Sequence, residues 1–241
     1  MQLNRLNRSL YLTIVILAFS TTACNSKKMN ELTSEEKKDG WILLFDGKST
    51  DGWHLYNHAK TKSSWQVVDG ILYCSRDSKD THGDLITDAA FENFDLQFDW
   101  RLQESGNSGV FINVKENDSL PNTWSSGPEY QLLDLAHPDD SVKNKRAGCM
   151  FGFAPQLTTV NPNTGAEWNA SRIKQENGKV EFYLNGVLTA KEDFKSPEWH
   201  AKVNASPFKS APEFGKYTSG HIALQEWAKG VSFRNIKLKK L

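Results

Sequence analysis

The chain has 241 residues, enough for one sizeable domain. Its 29 basic and 29 acidic side chains cancel, and no basic patch runs along it, which argues against a nucleic-acid partner. Eight tryptophans and thirteen phenylalanines point to an aromatic-rich core, with a few rings left over to stack on sugars.

The amino terminus reads as a processing signal. Arg5 and Arg8 precede a short apolar run over residues 10–19, too short to span a bilayer comfortably as a permanent helix. Thr21-Thr22-Ala23-Cys24 resembles a relaxed bacterial lipobox, in which Cys24 is lipidated and becomes the first residue. Removing residues 1–23 takes away Arg5 and Arg8 and leaves two net negative charges. Residues 24–40 are polar with almost nothing to bury, so a flexible tether is expected there. Lys27 and Lys28 stand where surface-exported lipoproteins carry an acidic run, which favours an anchor in the cell envelope facing the periplasm.

The ordered domain is expected over residues 41–241. "SWQVVDGILYCS" reads as strand, Asp69-Gly70 turn, strand. "FENFDLQFDWRLQ" alternates, with Phe94, Leu96, Phe98, Trp100 and Leu102 on one face. "GNSGVFINVK", "EYQLLDL" and "RAGCMFGFAP" read as further strands. Residues 167–194 look like three strands divided by the Asn177-Gly178 and Asn185-Gly186 turns. A long Pro- and Lys-containing loop is expected over residues 195–217, then two closing strands. About a dozen short strands without persistent helical periodicity predict an all-β jelly-roll or sandwich of a single domain. Cys74 and Cys149 sit in apolar runs, which leaves both a disulfide and two buried thiols open. No cysteine–histidine spacing suggests zinc.

Several motifs then occur in a set order: "LFDGKSTDGWH", "GDLIT", "NFDLQFDWRL", "GNSGVFI", "EYQLLDLAHPD", "AEWN", "LNGV" and "GHIALQ". Together they resemble the 3-keto-disaccharide hydrolase domain family, also described as 3-keto-glucoside 1,2-lyase and 3-keto-2-hydroxy-glucal hydratase domains. The resemblance covers roughly residues 41–241. It implies a concanavalin-like jelly-roll β-sandwich of two antiparallel sheets, one concave, and action on a small sugar substrate. It also implies cleavage of 3-keto-glycosides by elimination and hydration, a net hydrolysis. A separate dehydrogenase must then supply the C3 ketone, because no Gly-rich dinucleotide motif is present. Two alternatives are a direct glycoside hydrolase resembling family 16 and a non-catalytic sugar-binding module.

Elimination needs a base at C2, a hydrogen-bond donor at the C3 oxygen and an acid for the leaving group. Glu129, Asp134 and His137 are the catalytic candidates. Glu129-x-Gln131-x-x-Asp134 has the spacing of the family-16 cleft strand. A bulge after Gln131 is required to turn Asp134 onto the face of Glu129. Gln131, Asn107, Gln225, His221, Arg146 and His82 are expected to bind substrate, with Trp124 and Trp168 as stacking rings. Asp134 has a plain alternative as a turn cap, and His137 as turn surface. Asp134, His137, Asp139 and Asp140 are crowded enough to hold one divalent cation.

Overall fold

The computed structural model describes residues 28–58, 61–165 and 167–241. The signal segment, Cys24 and the first part of the expected tether lie outside these residues. Thirteen strands and two α-helices are described, and the strands form two antiparallel sheets.

The larger sheet contains β1 (Trp41–Leu43), β3 (Trp65–Val68), β4 (Ile71–Cys74), β6 (Phe94–Leu102), β9 (Asn169–Glu176), β10 (Lys179–Leu184), β11 (Val187–Asp193) and β13 (Val231–Lys240). Its order is β11-β10-β9-β6-β13-β4-β3, with β1 also paired to β13. The smaller sheet runs β2 (Trp53–Leu55), β5 (Leu85–Thr87), β12 (His221–Leu224), β7 (Asn107–Val114) and β8 (Glu129–Leu133).

The local sequence explains the hairpins. Asp69-Gly70, Asn177-Gly178 and Asn185-Gly186 all have positive φ at both residues, as a type I′ turn requires, and each joins neighbouring strands as expected. The alternation in β6 sends Phe94, Leu96, Phe98, Trp100 and Leu102 into the inter-sheet core. Tyr130 of β8 meets Phe98 and Phe182 edge-on from the opposite sheet. Its hydroxyl reaches Ser171 Oγ at 2.7 Å and donates to the Tyr183 carbonyl at 3.0 Å, so the buried polar atom is satisfied. Cys74 and Cys149 are buried and unpaired, and burial raises their thiol pKa values to about 12 and about 11.

Three expectations change. "RAGCMFGFAP" forms turns instead of a regular strand, but it seals the edge of β8: Gln131 N donates to Cys149 O, Gly148 N to Gln131 O and Phe151 N to Glu129 O. The expected loop over 195–217 contains α2 (Pro197–Ala205), capped by Ser196 with Pro197 at its start. Trp199 and Val203, four residues apart, are its two buried side chains, too short a stripe to stand out as a helical pattern.

The described end of the tether is docked rather than free. Asn30 is buried; its side chain accepts from Asn235 N, and its own N–H donates to Asn235 Oδ1, both at 2.7 Å. Asn235 sits at φ +54° where β13 slips register, so Asn30 satisfies backbone that the bulge leaves unpaired. The short α1 (Ser34–Lys38) carries a capping box and places Glu36 on Lys237.

Candidate active site

The outward face of the smaller sheet carries two rows of side chains. Strand register aligns His54, Ile86, Ala223, Phe111 and Glu129 in one row. The pairing continues past the strand ends through Tyr56 N to Asp84 O and Gln225 N to Gly109 O. The next row is therefore Tyr56, Asp84, Gln225, Gly109 and Gln131. The apolar middle of the first row is covered: Ile86, Phe111 and Ala223, with Tyr56 and Val114, form a buried cluster separate from the inter-sheet core. The polar row beside it holds the chemistry.

Gly109 makes room for Glu129. A β-carbon at Gly109 would stand 2.7 Å from Glu129 Cδ, so the carboxyl group leans over the glycine toward the polar row. Glu129 keeps an opening to solvent, yet its packed surroundings strip water from the carboxyl group. Desolvation, and then the charge of Asp84, raise its pKa well above the usual glutamate value. Among the described residues, no hydrogen bond engages its carboxyl oxygens.

Asp84 lies in the neighbouring row, that of Gly109 and Gln225, just before β5 and three strands from β8. Burial raises its pKa to about 6. Two hydrogen bonds act against that shift, from the Thr123 hydroxyl to Oδ2 and from Glu226 N to Oδ1 at 2.9 Å, while the Glu226 charge adds to it. Two interacting carboxyl groups with raised pKa values on one open face are the arrangement acid–base chemistry uses.

Amides line the floor between and beside them. Gln131 Nε2 donates to Asn107 Oδ1 at 3.3 Å. Gln131 Oε1 and Gln225 Oε1 are buried and, among the described residues, lack a hydrogen-bond donor. Buried acceptors without partners are uncommon, and sugar hydroxyls are suitable donors for both. Glu129, Gln131, Asn107 and Gln225 are thus brought together as the sequence suggests.

Asp134 and His137 are placed differently. The register of β8 against β7 is continuous from Glu129 to Leu133, so the bulge expected after Gln131 is absent. The Asp134 carboxylate accepts from Ser105 N at 2.9 Å and Ala136 N at 3.0 Å, which makes it a turn cap. His137 caps the following 3-10 turn, its Nδ1 accepting from Asp139 N. Asp139 pairs with Lys145 at 3.3 Å, and Arg146 lies 3.9 Å from the Asp140 carboxylate. The acidic turn spends its side chains on itself, and among the described residues no group of three or more His, Cys, Asp or Glu is arranged to hold a metal ion.

His221 donates through Nδ1 to the Thr87 carbonyl at 2.7 Å and sits beyond a register shift between β12 and β7. His82 contacts Glu226 through Nδ1 and the Ser78 carbonyl through Nε2; the Glu226 hydrogen bond raises its pKa first of all. Trp168 is on the other sheet's side of the molecule, stacked between Arg101 and Arg234 at 4.6 and 4.1 Å, and takes no part in this face. Trp124 is exposed beside Thr123, whose hydroxyl holds Asp84.

Two residues of the face escape a linear reading. Asp84 sits in the quoted "GDLIT" motif, but only its pairing opposite Gln225 reveals its direction. Trp227 follows β12; Asn107 N donates to Ala228 O, one position beyond the register that pairs Gln225 with Gly109, which brings the segment carrying Trp227 beside Asn107 at the edge of this face.

By architecture the molecule is a concanavalin-like jelly-roll β-sandwich with its polar, carboxyl-bearing face on the smaller sheet. The chain belongs to the family of 3-keto-α-glucoside-1,2-lyase-like domains, whose model matches residues 40–239. It is 30% identical to a 3-keto-disaccharide hydrolase of Bacteroides thetaiotaomicron, over 89% of this chain and 83% of that protein. Among solved structures, a candidate glycosyl hydrolase of Parabacteroides distasonis superposes with a TM-score of 0.81 at 32% identity, covering 89% of this chain and all of the other. A second such protein from the same organism gives 0.61 at 25% identity, covering 83% of this chain and 99% of the other.

Proposed function

We propose that this chain hydrolyses the glycosidic bond of C3-oxidised glycosides by elimination followed by hydration. The observation that carries the reading is the Asp84–Glu129 carboxyl pair on a face of unsatisfied amides. Family membership and the named activity of the Bacteroides relative support the substrate class.

A ketone at C3 acidifies the C2 proton. Asp84, ionised at neutral pH by virtue of a pKa of about 6, takes that proton as the base. The electrons move into the C1–C2 bond and the C1 oxygen leaves. Glu129, held protonated by desolvation, donates its proton to the leaving oxygen. The amide groups of Gln131, Gln225 and Asn107 hydrogen-bond the keto oxygen and ring hydroxyls as charge develops. Water then adds at C1 and a proton returns to C2, which gives the 3-keto sugar.

A carboxyl pair is also the acid and nucleophile of direct hydrolysis, so the decisive comparison is between substrates. Purified protein is expected to cleave a 3-keto-disaccharide and leave its unoxidised parent intact. Glu129→Gln is expected to lower kcat by about 10²- to 10⁴-fold, the usual worth of a positioned acid or base. Cleavage of the parent at comparable rate overturns the elimination reading in favour of direct hydrolysis. The amino-terminal pattern ending at Cys24 supports a lipid-anchored enzyme of the cell envelope, which fatty-acid labelling lost in Cys24→Ala would test.

A further inference from the structure

Two large aromatic side chains stand open to solvent near the polar row: Trp227, 56% exposed, and Trp124, 42% exposed. These two are tied to one carboxylate. Asp84 Oδ2 receives the hydroxyl of Thr123, the residue before Trp124. Asp84 Oδ1 receives the N–H of Glu226, the residue before Trp227. Glu226 is itself anchored, accepting from Ser64 Oγ at 3.1 Å and Gly83 N at 2.5 Å.

The two rings rise from opposite ends of β7. Trp227 lies in the segment whose Ala228 O accepts from Asn107 N, at the strand's beginning. The 3-10 turn Thr123–Ser125 that carries Trp124 packs at its other end. Gly127 donates to Thr123 O at 3.0 Å, and a β-carbon on Gly127 would meet the Ile112 carbonyl at 2.9 Å and Val114 Cγ2 at 2.7 Å. Gly109, with the Glu129 carboxyl group above it, falls between. From Asn107 to Ile112 the strand advances about 16 Å, at the usual rise of roughly 3.3 Å per residue. That span is wider than one sugar ring.

We propose that Trp124 and Trp227 are paired stacking walls on either side of the carboxyl groups, and that their separation selects a glycoside with a second ring over a single-ring one. The inference deepens the proposed function and takes its substrate class from it. Stacking uses the apolar face of each pyranose, while the amide floor reads its hydroxyls. The ring that leaves and the ring that carries the ketone each have a wall.

Equilibrium binding separates this inference from catalysis. Protein carrying Glu129→Gln, which slows turnover, is titrated calorimetrically with a 3-keto-disaccharide and with methyl 3-keto-glucoside. The disaccharide is expected to bind more tightly. Trp124→Ala and Trp227→Ala are each expected to weaken disaccharide binding about tenfold, equivalent to ~1.4 kcal/mol, and the pair of substitutions to erase the preference between ligands. Trp227→Phe retains most of that preference, because a ring remains. Equal weakening of both ligands by each of the two substitutions, unchanged binding, or no binding of either overturns the walls. Two-ring selectivity that depends on the tryptophans, in a wild-type protein that leaves keto-sugars uncleaved, upholds the walls and removes the hydrolase reading instead.

Discussion

Glu129 and Gly109 form one unit. The carboxyl group occupies the volume where any other residue at 109 would place its β-carbon. Gly109→Ala therefore displaces the acid without touching the rest of the face. Overpacking of this kind costs about 1–3 kcal/mol of stability, and a misplacement near 1 Å can cost roughly 10²-fold in rate. The expected outcome is a folded protein whose kcat on a keto-disaccharide falls at least about 100-fold, checked by steady-state kinetics beside circular dichroism. Retained activity would show that the Glu129 carboxyl group does not need the position it holds. At this scale the sequence is informative where neighbours alternate: Glu129 and Gln131 are two apart on one strand, and so face one way. It misleads at Asp134, where an i, i+5 spacing joins the face only through a bulge that β8 does not make. The carboxylate instead caps its own turn.

Elements decide what single residues cannot. The irregularity expected in β8 occurs in β7, where Asn113 takes φ +59° and the ladder with β12 slips between His221 and Ala223. Asp84 lies just before a three-residue strand, and nothing local marks it as a site residue. Its meaning comes from β12, which is paired to β5 across 133 intervening residues and brings Gln225 and Glu226 against it. Pairing over that distance follows from register, which composition and periodicity do not carry. The amino-terminal segment is a parallel case. Read alone it is too polar to fold, yet the bulge at Asn235 offers backbone groups that Asn30 fills. Asn30→Ala is expected to destabilise the domain by about 1–3 kcal/mol, the cost of leaving buried polar groups unpaired, with kcat unaltered because the lesion is on the other sheet. Chemical denaturation of the variant checks it; an unchanged midpoint would mean that the docking contributes nothing.

For the molecule as a whole, the site works against stability. The folded state keeps protons on Asp84 and Glu129 at pH values where the unfolded chain has released them. Their burden is absent below the ordinary carboxylate range near 4 and grows as pH rises through about 6 for Asp84 and through the raised value of Glu129. His54 acts in the same direction. Burial opposes its charge, but hydrogen bonds to Glu116 at 3.0 Å and Asp88 at 2.6 Å outweigh that and raise its pKa. The stability it adds is complete below about 6.5 and is lost as pH climbs through its folded value. Glu129→Gln, which removes one buried acid, is expected to raise Tm at pH 8 and to matter little at pH 4. Thermal melts across that range check the sign. A variant less stable at pH 8 would mean that the carboxylate is satisfied in the fold after all.

The central claim is that this carboxyl pair moves a proton at C2 of a keto-glycoside. Cleavage of a 3-keto-disaccharide in D₂O, followed by NMR of the released 3-keto sugar, reads that step directly. Elimination and hydration through Asp84 and Glu129 predict deuterium entering C2 of the product and slower cleavage of a substrate deuterated at C2, with product formed far more slowly by Glu129→Gln. Products that keep protium at C2, together with equal cleavage rates for the C2-protiated and C2-deuterated substrates, would contradict the account, because neither exchange nor an isotope effect would then mark a proton leaving carbon.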